Sequence, residues 1–251
     1  MIILREKNFS KKKSDDNRPK TRNAAGLYGG LMVANTGLAL PTILKPGQVS
    51  KEESKITGKL VNSGMKRGIK VVDYGAGIPG PAYYEGTVYR NHSKSPAMIA
   101  HELGHAHYDT NKTAGKVGKY AHKIYLGTGG SNSPLPSIAA IGTGIAAGRQ
   151  KFNAEKEGKK ENKILRHASY LAPTAVSAPM LISEGAASLK GLQLMKQAGA
   201  NRAMRMKGAG KLGMAFGTYA TMVGANAATG EIARRLTYKA LKNKEENEKK
   251  K

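Results

Sequence analysis

Residues His101-Glu102-Leu103-Gly104-His105 carry two imidazoles four positions apart with a carboxylate between them. On an α-helix, positions i and i+4 lie on one face, so both rings can reach a single tetrahedral metal ion. Zinc with an open coordination position lowers the pKa of a water to about 7. Glu102, beside His101, is placed to take that water's proton and hand it to a leaving amine. H-E-x-x-H is a specific pattern: this composition yields it by chance about 0.7% of the time. The chemistry it implies is hydrolysis at a carbonyl.

The site needs a third protein ligand, and the chain has no cysteine. That absence also excludes a disulfide framework, an iron–sulfur cluster and a thiol nucleophile. Downstream of the motif and ahead of the charged tail, the acids are Asp109, Glu155, Glu157, Glu161, Glu184 and Glu231. Asp109 falls at the end of the motif helix, and Glu155, Glu157 and Glu161 sit in a lysine-rich run. Glu184 stands alone in an otherwise apolar stretch, where a carboxylate is costly unless it is paired or bound to a cation. It reads as a metal ligand, with a helix N-terminal acid as the alternative. Ser188, one turn on, shares its face and can hydrogen-bond a ligand histidine. His107 points away from the motif face. His92, His122 and His167 stay unassigned, and one of them, or Tyr219, could donate to a developing oxyanion.

Several elements must position these groups. Apolar spacing predicts a helix over Glu52–Met65, followed by a strand at Gly68–Val72 and a turn across Gly75–Pro81. Gly86–Arg90 (GTVYR) reads as a second strand. Ser95-Pro96 gives an N-cap and a first-turn proline, so the motif helix should run from Pro96 to about Tyr108. A further helix begins after Pro179 and stops at Gly199. The fold class is α+β, mostly helical, with a small sheet beside the motif helix.

The chain has 251 residues and a net charge of +25. Its charge sits in blocks at 1–22, 45–123, 149–167, 184–211 and 231–251. Between them lie the uncharged stretches Asn23–Leu44, Ile124–Gly148, Ala168–Ser183 and Leu212–Gly230. These are rich in Gly and Ala and suit either membrane helices or tightly packed buried ones. Residues 1–22 and the tail from Lys242 to Lys251 read as disordered. Spread basicity of this size fits an anionic membrane surface or nucleic acid as partner.

With HELGH, a strand just before it and SEGAAS some eighty residues later, the chain resembles gluzincin-type zincin metallopeptidases. The similarity is nearest to the membrane-associated YugP-like and HtpX-like families and covers residues 54–198. It implies a zinc-dependent peptidase with His101, His105 and Glu184 as ligands, Glu102 as general base and Ser188 behind a ligand. It also implies a zincin domain over 45–211, with apolar membrane segments at 124–148 and 168–183. A substrate-binding edge strand then falls at Gly86, Thr87, Val88, Tyr89, Arg90 and Asn91, taking peptide by strand addition. Ala186 departs from the YugP-like pattern, where an acid is usual, as do Leu189 and Lys190, where arginines are usual. The runner-up is a basic structural or assembly protein, virion-like in character, that binds membrane or nucleic acid around an inactive zincin scaffold.

Overall fold

The computed structural model describes residues 49–73, 81–90, 95–111, 115–128, 130 and 133–250. The basic arm 1–22, the apolar segment 23–44, nearly all of the Gly75–Pro81 turn, Asn91 and His92 lie outside them. Six helices and three strands follow in the order α1 (Lys51–Lys66), β1 (Lys70–Asp73), β2 (Ala82–Tyr84), β3 (Thr87–Arg90), α2 (Pro96–Thr110), α3 (Lys116–Gly127), α4 (Leu135–Lys156), α5 (Lys163–Gln197) and α6 (Arg202–Lys249). The described chain is therefore mostly helical with one small mixed sheet.

Local chemistry accounts for the element ends. Ser50 and Glu53 form a reciprocal capping box at the start of α1, the Ser50 hydroxyl accepting from the Glu53 amide and the Glu53 carboxylate accepting from the Ser50 amide. Pro96 occupies the first turn of α2, although the Ser95 side chain makes no capping hydrogen bond. Asn162 and Asn201 cap α5 and α6 through their side-chain oxygens.

The sheet runs β1-β3-β2, with β1 parallel and β2 antiparallel to β3. Thr87–Arg90 is thus the central strand, paired on both sides, and not the free edge expected of Gly86–Asn91. The reason is a tight hairpin. Tyr84 pairs with Thr87 across Glu85-Gly86, which take φ values of 45° and 76°, the left-handed pair that a two-residue hairpin turn requires. β2 has only three residues, too few to stand out in the sequence. It takes the outer position that β3 was expected to hold.

Two apolar clusters support the site. The larger gathers Ile56 and Leu60 of α1, Val88 of β3, Ile99 and Leu103 of α2, Leu194 and Met195 of α5 and Leu212 of α6. The smaller joins Tyr125, Met180 and Val223. Along α5, Glu184 falls between Met180 of one cluster and Leu194 of the other.

Three expectations about the helices change. α5 is continuous over 35 residues with Pro173 and Pro179 inside it, starting well before Pro179. Pro173 has no amide to offer the Ser169 carbonyl, and α6 approaches that carbonyl at Gly230. α6 runs unbroken for 48 residues through both the 212–230 stretch and the charged tail to Lys249. Lys244–Glu248 and Lys249–Glu245 pairs one turn apart support its end, where disorder was expected. Two of the uncharged stretches make close helix contacts: Gly144 and Gly148 of α4 lie against the α6 backbone at Gly230 and Arg234. Among the described residues no helix is long and apolar enough to cross a membrane.

Candidate metal centre

α2 is buried almost all round, between α1 and the sheet on one side and α5 on the other. This is why its polar motif residues are inside the protein at all. His101 and His105 project from one face towards α5, and Glu184 projects back from the middle of α5, far from that helix's N-terminus. A dipole explanation for Glu184 is thereby removed.

Glu184 Oε2 lies 3.1 Å from His101 Nε2 and 3.5 Å from His105 Nε2, and the two Nε2 atoms are 3.2 Å apart. Three ligands of a tetrahedral ion at 2.0–2.1 Å stand about 3.3 Å from one another. The triangle of donors therefore fits a metal ion, and all three residues are buried. Three lone-pair atoms facing one another without a cation would be a poor hydrogen-bond arrangement. The Ser188 hydroxyl lies 3.1 Å from His101 Nδ1, so it can accept the Nδ1 proton and leave Nε2 bare toward the centre. Burial alone would raise the Glu184 carboxyl, but the His101 and His105 rings facing it outweigh that and hold it far below the usual carboxylate range.

Glu102 does not join the triangle. It is buried beside it, where desolvation raises its carboxyl above the usual range against the pull of His101 and His105. The backbone of Tyr83 in β2 lies close enough to add a small lowering pull, so the short strand sits against the motif helix. Asp109, the nearest alternative ligand, is taken instead by the Tyr83 hydroxyl.

The other candidate acids have their own partners. Glu155 accepts from the Tyr238 hydroxyl, Glu157 pairs with Lys159, and Glu161 and Glu231 both pair with Arg234. His107 faces Asn111, and His167 bonds Tyr170 on the surface.

Two residues left unassigned by spacing prove to wall the centre. His122 of α3 is fully buried and stacks on His105 with ring centroids 5.1 Å apart. Its Nδ1 lies 3.0 Å from the Ser183 hydroxyl, while its Nε2 is buried without a partner. Burial, with His105 adding to it, pushes the ring down to about 4, so it is neutral at pH 7. Tyr219 of α6 faces the centre, and burial raises its phenol far above the ordinary value, with the Glu184 carboxylate adding to the shift. Tyr125 stacks on His105 and lies tilted against His122. No sequence signal singles out His122 from His92 or His167; only the packing of α3 on α2 and α5 does.

The geometry defines a buried His-His-Glu group able to hold a metal ion. Compared with protein-family models, with curated proteins and with solved structures, the chain matches none.

Proposed function

We propose that this protein is a zinc-dependent peptidase with a zincin-like arrangement of motif helix, glutamate helix and small sheet. The observation that carries the reading is the near-equilateral donor triangle with a separate buried carboxylate, Glu102, next to it. A purely structural site has no use for that extra acid.

His101, His105 and Glu184 would hold the ion, which supplies Lewis-acid activation of water and of the scissile carbonyl. Ser188 fixes the His101 ring. Glu102, buried beside the triangle, would accept the proton from the attacking water and deliver it to the departing amine. The Tyr219 hydroxyl and His122 Nε2 are the donors nearest the centre for charge developing on the carbonyl oxygen. The outer edge of β2, not β3, is the place for a substrate backbone, because Tyr83 brings that strand against Glu102.

A second reading rests on the burial of the centre beneath His122, Tyr125 and Tyr219. In it the metal is structural, inside a basic assembly protein that binds membrane or nucleic acid, as in a virion-like particle. Elemental analysis of the purified protein tests the site: about one zinc per chain is expected, with little in His105→Ala or Glu184→Ala. Peptide cleavage separates the readings. Loss of cleavage in Glu102→Gln with zinc retained supports the peptidase. Full zinc content with no cleavage of any peptide by the wild type favours the structural role.

A further inference from the structure

α3 has two unlike faces. Ala121, His122 and Tyr125 turn inward onto the metal centre. Val117, Tyr120 and Ile124 are 72%, 65% and 51% exposed. Their i, i+3, i+7 spacing lines them up in one stripe. Lys116, Lys119 and Lys123 repeat the same spacing one position earlier, so a row of ammonium groups runs beside the apolar row. The helix carries no acid, and no ion pair among the described residues engages these lysines.

Single exposed apolar residues need no explanation, but three in register beside three cations have the makeup of an interfacial helix. A nucleic-acid backbone would satisfy the lysines and leave Val117 and Ile124 in water. An anionic bilayer satisfies both, with ammonium groups at the headgroups and the apolar row at the acyl boundary. The exposed Leu171, Val176 and Ile182 of α5 lack this pairing, since no charge lies between Ala168 and Ser183. We propose that the outward face of α3 docks this protein on an anionic lipid surface. The proposal does not depend on the metal centre being hydrolytic. It places that centre about one helix diameter, roughly 10 Å, behind the lipid.

The chain contains no tryptophan, so Tyr120→Trp installs a single reporter on the stripe. Titrating this full-length variant with phosphatidylglycerol/phosphatidylcholine vesicles should blue-shift its emission, and brominated lipid should quench it. Phosphatidylcholine vesicles alone should do neither. In co-sedimentation, Val117→Asp/Ile124→Asp and Lys116→Gln/Lys119→Gln/Lys123→Gln should each weaken binding by roughly tenfold or more. Unchanged circular dichroism shows the fold intact, and both triplets are at the surface. No blue shift on anionic vesicles would overturn the proposal. So would binding lost with the lysines but indifferent to Val117 and Ile124, which marks a plain polyanion surface. A dimer in solution that the Asp pair converts to monomer would also overturn it, assigning the stripe to a second copy.

Discussion

Gly104 and Ala187 meet backbone to backbone: a Cβ on Gly104 would stand 2.3 Å from the Ala187 carbonyl oxygen. Gly104 sits between the two histidines on α2, and Ala187 sits between Glu184 and Ser188 on α5. The contact is matched at Gly191, where a Cβ would come within 2.9 Å of the Ala100 carbonyl carbon. These two glycines let α5 come near enough for Glu184, a short side chain, to reach both rings. Gly104→Ala should therefore lose most of its zinc although every ligand remains, and should lose about 1–3 kcal/mol of stability. Metal analysis and thermal melts of the variant check both effects.

Ser188 reaches the candidate metal site only through His101. Ser188→Ala should leave circular dichroism unchanged and lower zinc affinity about 10- to 100-fold, read by competition against a chromogenic chelator. Unchanged affinity would mean that packing alone orients the ring.

Arg234 is a buried guanidinium that ties α6 to the entry of α5: it donates to Glu231 within its own helix and to Glu161 across it. Removing it takes the partner from Glu161 and leaves Glu231 with Arg235 alone. Arg234→Met should destabilise the fold by roughly 2–4 kcal/mol, measured by urea unfolding at pH 7, with part of the loss restored by adding Glu231→Gln.

The same pair predicts a pH dependence. Hydrogen bonds from Arg234, followed by Arg235, hold Glu231 down at about 2, against 4.5 for the free group. A depressed folded pKa means that the unfolded chain binds the proton first as pH falls. The contribution is present in full above about 4.5 and disappears as pH drops through about 2. Urea midpoints should decline over that window in the wild type and decline less in Arg234→Met.

Gly230 abuts the Ser169 carbonyl that Pro173 leaves without its helical donor; a Cβ there would lie 1.7 Å from that oxygen. Gly230→Ala should lower the melting temperature. Gly217→Ala on the same helix, with open space around it, should raise it by the ordinary helix-propensity gain of up to about 1 kcal/mol. Equal effects at the two positions would refute the close contact.

Much of the centre is written locally. The i, i+4 histidines, the first-turn proline and the 3.6-residue period make α2 and its ligand face legible before any fold is known. Glu184 is legible for an energetic reason: an isolated carboxylate in an apolar stretch demands a cation or a partner. Ser188 follows from it by one turn of helix. What the sequence leaves open is whatever depends on contacts between distant segments. Three residues of β2 carry no periodic signal, so the central place of Thr87–Arg90 emerges only from pairing. A Gly/Ala-rich uncharged stretch has the same composition whether it faces lipid or another helix. Among the described residues, the stretches 124–148 and 212–230 meet each other, at Gly144 and Gly230. Where α5 runs through Pro173, it is likewise tertiary contact, Gly230 of α6, that covers the freed carbonyl. His122 and Tyr219 join the centre because α3 and α6 cross it, a matter of tertiary packing that no spacing along the chain encodes.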